Sequence, residues 1–309
     1  MHLANQVVDF LCGQVLQELD WPDLNDAVAG HAGRKPEPDY GDLLPIATCL
    51  ASGGDGERAV PLAAAWILYD QASNLFDDLQ DRDGKPLIWN EWMPARAMQV
   101  GLGMIAAGQL CLSKLNAEPE AKQEIMATYS STLALAAREQ AAVPQNPDLT
   151  SYLRHVVGKS GSVFATVAWS GARVHTDDTV ALEAMRQFGI ALGILLQLLD
   201  DCRDLWNGQV RSDLSAETYT LPVLYALSQA DGSRRDQLAG LLQADAKSEA
   251  QFKAIYDILE EDGAASYSLA LMKVYEQVAL EVLQQFPPAS TESLVAYVRS
   301  FLAPLAAKI

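Results

Sequence analysis

Leu75-Phe76-Asp77-Asp78-Leu79-Gln80-Asp81 and Leu198-Leu199-Asp200-Asp201-Cys202-Arg203-Asp204 are two copies of one pattern, Asp-Asp-x-x-Asp set directly after an apolar run. At about 100° per residue, the first and last Asp of each copy fall within about 40° on one helix face. The preceding stretches, Ala59 to Phe76 and Phe188 to Leu199, are apolar nearly all round, the signature of helices inside a bundle. Each such helix therefore ends in a ledge of carboxylates. The charges repel, are costly at the edge of a core and oppose the helix macrodipole at its C-terminus. Mg²⁺ offsets that cost, because it takes carboxylate oxygens, keeps waters and accepts phosphate oxygens. Two ledges facing across a bundle would hold a metal cluster able to grip a diphosphate. The plainer alternative is two solvated helix ends, and the repetition of the pattern argues against it.

Working outward, helical periodicity dominates. Val7, Val8, Leu11, Val15, Leu16 and Leu19 form one apolar face, and Trp21-Pro22 ends that segment. Further helices are expected over roughly 43–52, 58–80, 93–115, 119–142, 149–172, 178–206, 219–228, 234–245, 248–261, 264–286 and 290–307. No period-2 strand stands out. Punctuation comes at Gly53-Gly54, Asp83-Gly84-Lys85-Pro86, Pro144 to Pro147, Asp262-Gly263 and Pro287-Pro288. No low-complexity linker divides the chain, so a single helical domain over 1–309 is expected: an all-α bundle of ten to twelve helices around a central apolar cavity.

With half of its 309 residues hydrophobic, the chain can bury a large core. A formal charge of −18, from 22 basic and 40 acidic residues, argues against a nucleic-acid partner and against adhesion to anionic lipid. Cys12, Cys49, Cys111 and Cys202 have neither metal-ligand nor redox spacing, which suits a reducing cytoplasm. The N-terminal residues lack the pattern of a signal peptide. Apolar runs such as Gly189 to Leu199 are too short to span a bilayer, so a chain that is not membrane-spanning is expected.

The paired motifs give the sequence a resemblance to the trans-isoprenyl diphosphate synthases, or polyprenyl synthetases, over roughly residues 30–230. Gln197-Leu198-Leu199-Asp200-Asp201 is similar to that family's Gln-x-x-Asp-Asp, and Ser212-Asp213-Leu214 with Thr220-Leu221-Pro222 to its Asp-Leu…Thr-Leu-Pro. Gly158-Lys159-Ser160 resembles its Lys-Thr, whose lysine grips the allylic diphosphate, and Glu139-Gln140 falls where it has Gly-Gln. The resemblance implies an isoprenoid-synthase fold, a homodimer, and three Mg²⁺ ions that ionise an allylic isoprenoid diphosphate for attack by isopentenyl diphosphate. It implies catalytic roles for Asp77, Asp78, Asp81, Asp200, Asp201, Asp204 and Lys159, with Asp77, Asp81, Asp200 and Asp204 as metal ligands. Gln140 and Gln197 become substrate-side donors, and Gln197, three residues before Asp200 on the same helix face, also reads as a donor standing behind the second motif.

The chain also departs from the family. Asp81 is followed by Arg82-Asp83-Gly84-Lys85-Pro86-Leu87-Ile88-Trp89 in place of an acidic loop and Arg-Arg-Gly, which leaves Arg82 or Lys85 as substitutes. Phe76 stands where many members have His. Gly33-Arg34-Lys35 is the match to the Gly-Lys-Arg that binds isopentenyl diphosphate, and Glu217-Thr218 replaces Gly-Lys. Three readings follow: a divergent polyprenyl diphosphate synthase using Arg34 and Lys35; a cyclase or a prenyltransferase to another acceptor, such as a peptide Trp; and a non-catalytic subunit, against which two complete motifs argue. Among single residues, His155 reads either as a base or as a partly exposed helix histidine. Asp70 reads either as a pocket residue or as a partner of a neighbouring helix. A prenyl tail anchored at Asp77 would run back along its helix past Ala72 or Ser73, then Tyr69, then Trp66, at about 5.4 Å per turn. Small residues in the first turn and bulk below give room for about 15 to 20 carbons. The alternative is that Tyr69 and Trp66 pack between helices.

Overall fold

A computed structural model describes residues 2–29, 38–81, 88–142, 148–206, 220–244 and 248–303. Every regular element among them is helical, as the periodicity implies. Arg34, Lys35, Arg82, Lys85, Ser212 and Glu217 lie outside the described residues, as do the side chains of Asp81 and Asp204.

The chain divides into two compact units. The first comprises Met1–Thr132, Ala165–Gln187 and Val282–Tyr297; the second comprises Leu133–Phe164, Phe188–Glu281 and Val298–Ile309.

In the first unit the helix Val60–Asp81 is continuously buried from Val60 to Tyr69. A short 3₁₀ turn, Gly56–Ala59, leads into it, with the Asp55 carboxylate accepting from Glu57 N at 3.0 Å. It packs antiparallel on Pro94–Ser113. The contact has a seven-residue rhythm on both sides. A Cβ at Gly101 would lie 2.6 Å from Phe76 Cζ, and one at Gly108 would lie 2.4 Å from Tyr69 Cε1. Two aromatic rings thus occupy the space two missing side chains leave, which lets the backbones approach.

Pro22 starts a helix that the periodicity did not reveal. The first segment closes at Asp20, in the left-handed region at φ 44°, and Pro22 then opens Pro22–Val28. Proline is well suited to a first helical turn, where its missing N–H costs nothing.

In the second unit, Val223, Leu238, Ile255 and Leu259 form the centre of a local core, beside which Tyr225 and Tyr267 stack at 4.1 Å. The stretch 149–172, expected as one plain helix, is interrupted. Asp148 and Ser151 cap Leu149–Val156 reciprocally, a π-helical turn follows over Val157–Gly161, and Ser162–Arg173 continues the rod. A Cβ at Gly193 would meet Ser160 O at 2.6 Å, so this rod and the long helix Thr179–Trp206 touch nearly backbone to backbone.

By length and hydropathy, Thr179–Cys202 is a stretch sufficient to cross a bilayer. The apolar run Gly189 to Leu199 is only part of that stretch, because the helix continues through polar and charged residues on either side of it. Half of the most apolar window is buried within the protein, with Phe188, Leu192, Leu195 and Leu198 fully enclosed.

Candidate active site

Asp77 and Asp78 lie in the last turn of Val60–Asp81, about 100° apart around its axis. Asp77 is half-buried, whereas Asp78 is only 6% exposed. The indole Nε1–H of Trp89, itself buried in the short turn Ile88–Glu91, donates to Asp78 Oδ2 at 2.9 Å. A buried carboxylate needs such donors, since its desolvation is otherwise uncompensated. The sequence singled out Trp89 but gave no sign of this pairing, which bridges the segment after the motif.

Farther back on the same helix, Ala72 is buried and Ser73 is exposed. Tyr69 rests on Gly108, with its ring 5.4 Å from that of Tyr129, and Trp66 Nε1 donates to Gly41 O at 3.0 Å. Tyr69 thus packs between helices, whereas Trp66 bonds the turn ahead of the helix Leu44–Ala51. The Tyr69 hydroxyl is buried and has no hydrogen-bond partner among the described residues. Asp70 accepts from Asn74 Nδ2 at 3.1 Å. Burial pushes the Asp70 carboxyl up to about 6, helped by the charges of Asp39 and Asp77 and opposed by the Asn74 bond. Asp42 is also pushed to about 6, again chiefly by burial. The Asp39 and Asp42 carboxylates accept each other's backbone N–H, at 3.0 and 2.9 Å.

In the second unit, Asp200 is exposed and Asp201 is turned inward. Gln197, one turn earlier, donates Nε2–H to Asp201 Oδ1 at 2.9 Å, and Ser160 Oγ donates to Gln197 Oε1 at 2.7 Å. The Tyr152 hydroxyl donates to Asp201 Oδ2, which also takes a long bond of 3.5 Å from Leu221 N. Leu221 opens the helix Leu221–Gln229, whose N-cap Thr220 supplies no side-chain bond, so Asp201 serves that helix end from outside. Burial raises the Asp201 pKa, against the pull of these donors. Gln197 was expected as a donor to the motif. Tyr152 was not singled out; its one visible signal is a polar-tipped aromatic one turn after the cap Asp148.

Lys159 is half-buried in the π turn. His155 is held below the usual imidazole pKa by burial first and by the Lys159 charge second. Its Nδ1 lies 3.7 Å from Glu139 Oε2. Glu139 Cγ is 2.9 Å from where a Gly158 Cβ would stand, so Glu139-Gln140 and Gly158-Lys159-Ser160 share one neighbourhood.

Among the described residues, no three Asp, Glu, His or Cys side chains converge on a metal position. The carboxylates that complete the motifs, Asp81 and Asp204, are outside that set. The donor chemistry fits a hard cation nonetheless. Each outward carboxylate, Asp77 or Asp200, is adjacent to one already held by protein donors, and hard oxygen donors of this kind are what Mg²⁺ takes.

The polyprenyl synthetase family model matches residues 43–259. The geranylgeranyl diphosphate synthase of Mycobacterium tuberculosis is 30% identical over 240 residues, covering 73% of this chain and 67% of its own. A (2E,6E)-farnesyl diphosphate synthase of Mycobacterium bovis is 23% identical, covering 96% and 91%. The solved geranylgeranyl pyrophosphate synthetase from the archaeon Geoglobus acetivorans has the same fold, with a TM-score of 0.80 at 20% identity over 97% of this chain and 99% of that one. A family match across most of the chain, the paired aspartate motifs and the all-helical fold lead to one conclusion: this chain belongs to the polyprenyl synthetase family, and it is a prenyltransferase.

Proposed function

We propose that the protein ionises an allylic isoprenoid diphosphate in a Mg²⁺-dependent reaction and joins the prenyl group to isopentenyl diphosphate, giving a product of about 15 to 20 carbons. The observation that carries this reading is the repeated arrangement at the two acidic helix ends. In each, the second carboxylate is tied to protein donors, and the first is the more exposed of the two. Bound Mg²⁺, three ions by family resemblance, would supply positive charge to the departing diphosphate. Lys159 adds a flexible ammonium for a phosphate oxygen. Gln197, already holding Asp201, fixes the geometry of the second motif. Arg34 and Lys35 are the candidates for the diphosphate of isopentenyl diphosphate.

Incubation with Mg²⁺ and geranyl or farnesyl diphosphate, with and without isopentenyl diphosphate, followed by mass spectrometry, tests the proposal. Five-carbon extension that requires isopentenyl diphosphate supports it. Hydrocarbon or alcohol formed without isopentenyl diphosphate would replace it with a cyclase, and no turnover of any allylic diphosphate would leave a non-catalytic subunit.

We further propose a homodimer joined through the first unit. Met98 and Leu102, 51% and 53% exposed, lie one turn apart on Pro94–Ser113. Farther along the same helix, a shallow groove of about 500 Å³ is lined by Gln109 together with Met126, Ala127 and Ser130. A second copy covering this face would give the homodimer that the family resemblance implies.

A further inference from the structure

Asp78 and Asp201 occupy the same place in their motifs, and each is met by a ring-borne donor from a different element. Trp89 Nε1–H reaches Asp78 from the turn Ile88–Glu91. The Tyr152 hydroxyl reaches Asp201 from the helix Leu149–Val156. Trp89 is 5% exposed and Tyr152 8%, so both rings are locked by packing before the bond is made. A rigid donor restricts a carboxylate more than a long aliphatic one does, because it has few rotamers left to lose. The neighbouring Asp77 and Asp200 lie about 100° away on their helices, and both are more exposed than their tethered partners. Restraining the second carboxylate fixes the rotation of the helix end that carries the first.

We propose, resting on the reading that Asp77 and Asp200 bind metal and diphosphate, that Trp89 and Tyr152 are positioning residues, each immobilising the second carboxylate of one aspartate motif so that the first meets its ligand in a fixed orientation. Both act through hydrogen bonds to Asp78 and Asp201 and touch no substrate. Deleting the N–H or the hydroxyl leaves most of the ring packing in place but frees a buried carboxylate to turn, and a displacement of about 1 Å at a site of this kind costs on the order of 10²-fold in rate.

The test uses the full chain as Trp89→Phe and Tyr152→Phe, each measured for kcat, KM for the allylic diphosphate and the Mg²⁺ concentration giving half-maximal rate. We expect kcat to fall about 10- to 100-fold and the Mg²⁺ requirement to rise several-fold, with KM changing less. In double variants with Asp78→Asn or Asp201→Asn, the ring substitution should add little, since its target is already altered. Should Trp89→Phe unfold the protein, the indole ¹⁵N–H resonance of Trp89 in the wild type provides a second measurement. It should move on Asp78→Asn and on adding Mg²⁺ with inorganic pyrophosphate. Unchanged kcat and Mg²⁺ dependence in folded Trp89→Phe and Tyr152→Phe, or full additivity with the Asn variants, would overturn the proposal. If Asp77→Ala and Asp200→Ala also retained activity, the metal-site reading itself would fall; if they alone were dead, only the tethers would.

Discussion

Gln197 and Asp201 stand one helical turn apart with Nε2 2.9 Å from Oδ1, and the Gln197 carbonyl oxygen in turn accepts from Ser160. The amide is thereby used at both ends and its orientation is fixed. Gln197→Ala removes both bonds and leaves Asp201 with Tyr152 and the long Leu221 contact. Activity should fall about tenfold or more, with a stability loss of about 1–2 kcal/mol measured by urea unfolding. Gln197→Glu should be worse, since it places a second anion beside a carboxylate that burial already strains. Wild-type activity in both variants would remove Gln197 from the site.

Asp77→Ala and Asp200→Ala should each lower turnover by at least about 10²- to 10³-fold, the usual loss when one preorganised electrostatic group is removed. The fold should survive, because each substitution also relieves repulsion. Pyrophosphate release, followed alongside circular dichroism, reads both effects.

Mg²⁺ and inorganic pyrophosphate added together should raise the melting temperature by about 5 °C at concentrations near a hundredfold over Kd, through binding to the folded state alone. Either addition made singly should do less. A melting curve indifferent to the pair would count against both acidic ends as ligand sites.

Tyr69→Phe deletes a buried hydroxyl that has no partner among the described residues. Removing an unsatisfied polar atom should leave stability unchanged or raise it by up to about 1 kcal/mol. Gly108→Ala works in the opposite sense, because its Cβ would lie 2.4 Å from the Tyr69 ring. A cost of about 1–3 kcal/mol is expected. If Tyr69 also bounds the prenyl tail, Tyr69→Ala should lengthen the product while Tyr69→Phe should not.

Asp70 and Asp42 both titrate near 6 in the folded protein, above the ordinary carboxylate value of 3.8. The folded state therefore holds protons that the unfolded state has released, and between about pH 4 and 6 stability falls as pH rises. Asp70→Asn removes one of these groups. It should stabilise the protein by about 1 kcal/mol at pH 8, and the difference should vanish near pH 4. A stability difference independent of pH would show that Asp70 is not raised.

Leu102→Glu with Met98→Glu should shift the molecular mass measured by light scattering from dimer to monomer. Single species of unchanged mass would move the interface elsewhere.

The aspartate repeats and the apolar helices ahead of them were legible because periodicity and charge are local properties. Gln197 was legible for the same reason, since its target lies one turn away on the same helix. Trp89 and Tyr152 were not, because their partners are fixed by packing between elements and no spacing rule connects Tyr152 to Asp201. The helix beginning at Pro22 was missed because proline ends one helix and starts another with equal ease. The π turn left no trace either, as Val157-Gly158-Lys159-Ser160-Gly161 reads like any helical stretch containing small residues.

That turn has a consequence for anyone who edits this chain. Tyr152 and Ser160 both serve the helix Thr179–Trp206, through Asp201 and Gln197. In a regular helix the eight steps from one to the other overshoot two full turns by about 80°, which would aim one of the two side chains past its target. A wider turn spends less rotation per residue and brings both back onto a single side. Straightening that turn into regular helix at its present length would therefore re-phase everything downstream by about 80°, whereas losing Gly158 together with the wide turn would leave seven steps, about 700°, and nearly keep the alignment. A grafted version that straightened the turn but preserved every aspartate, and Lys159 as well, would inherit the parts without their alignment.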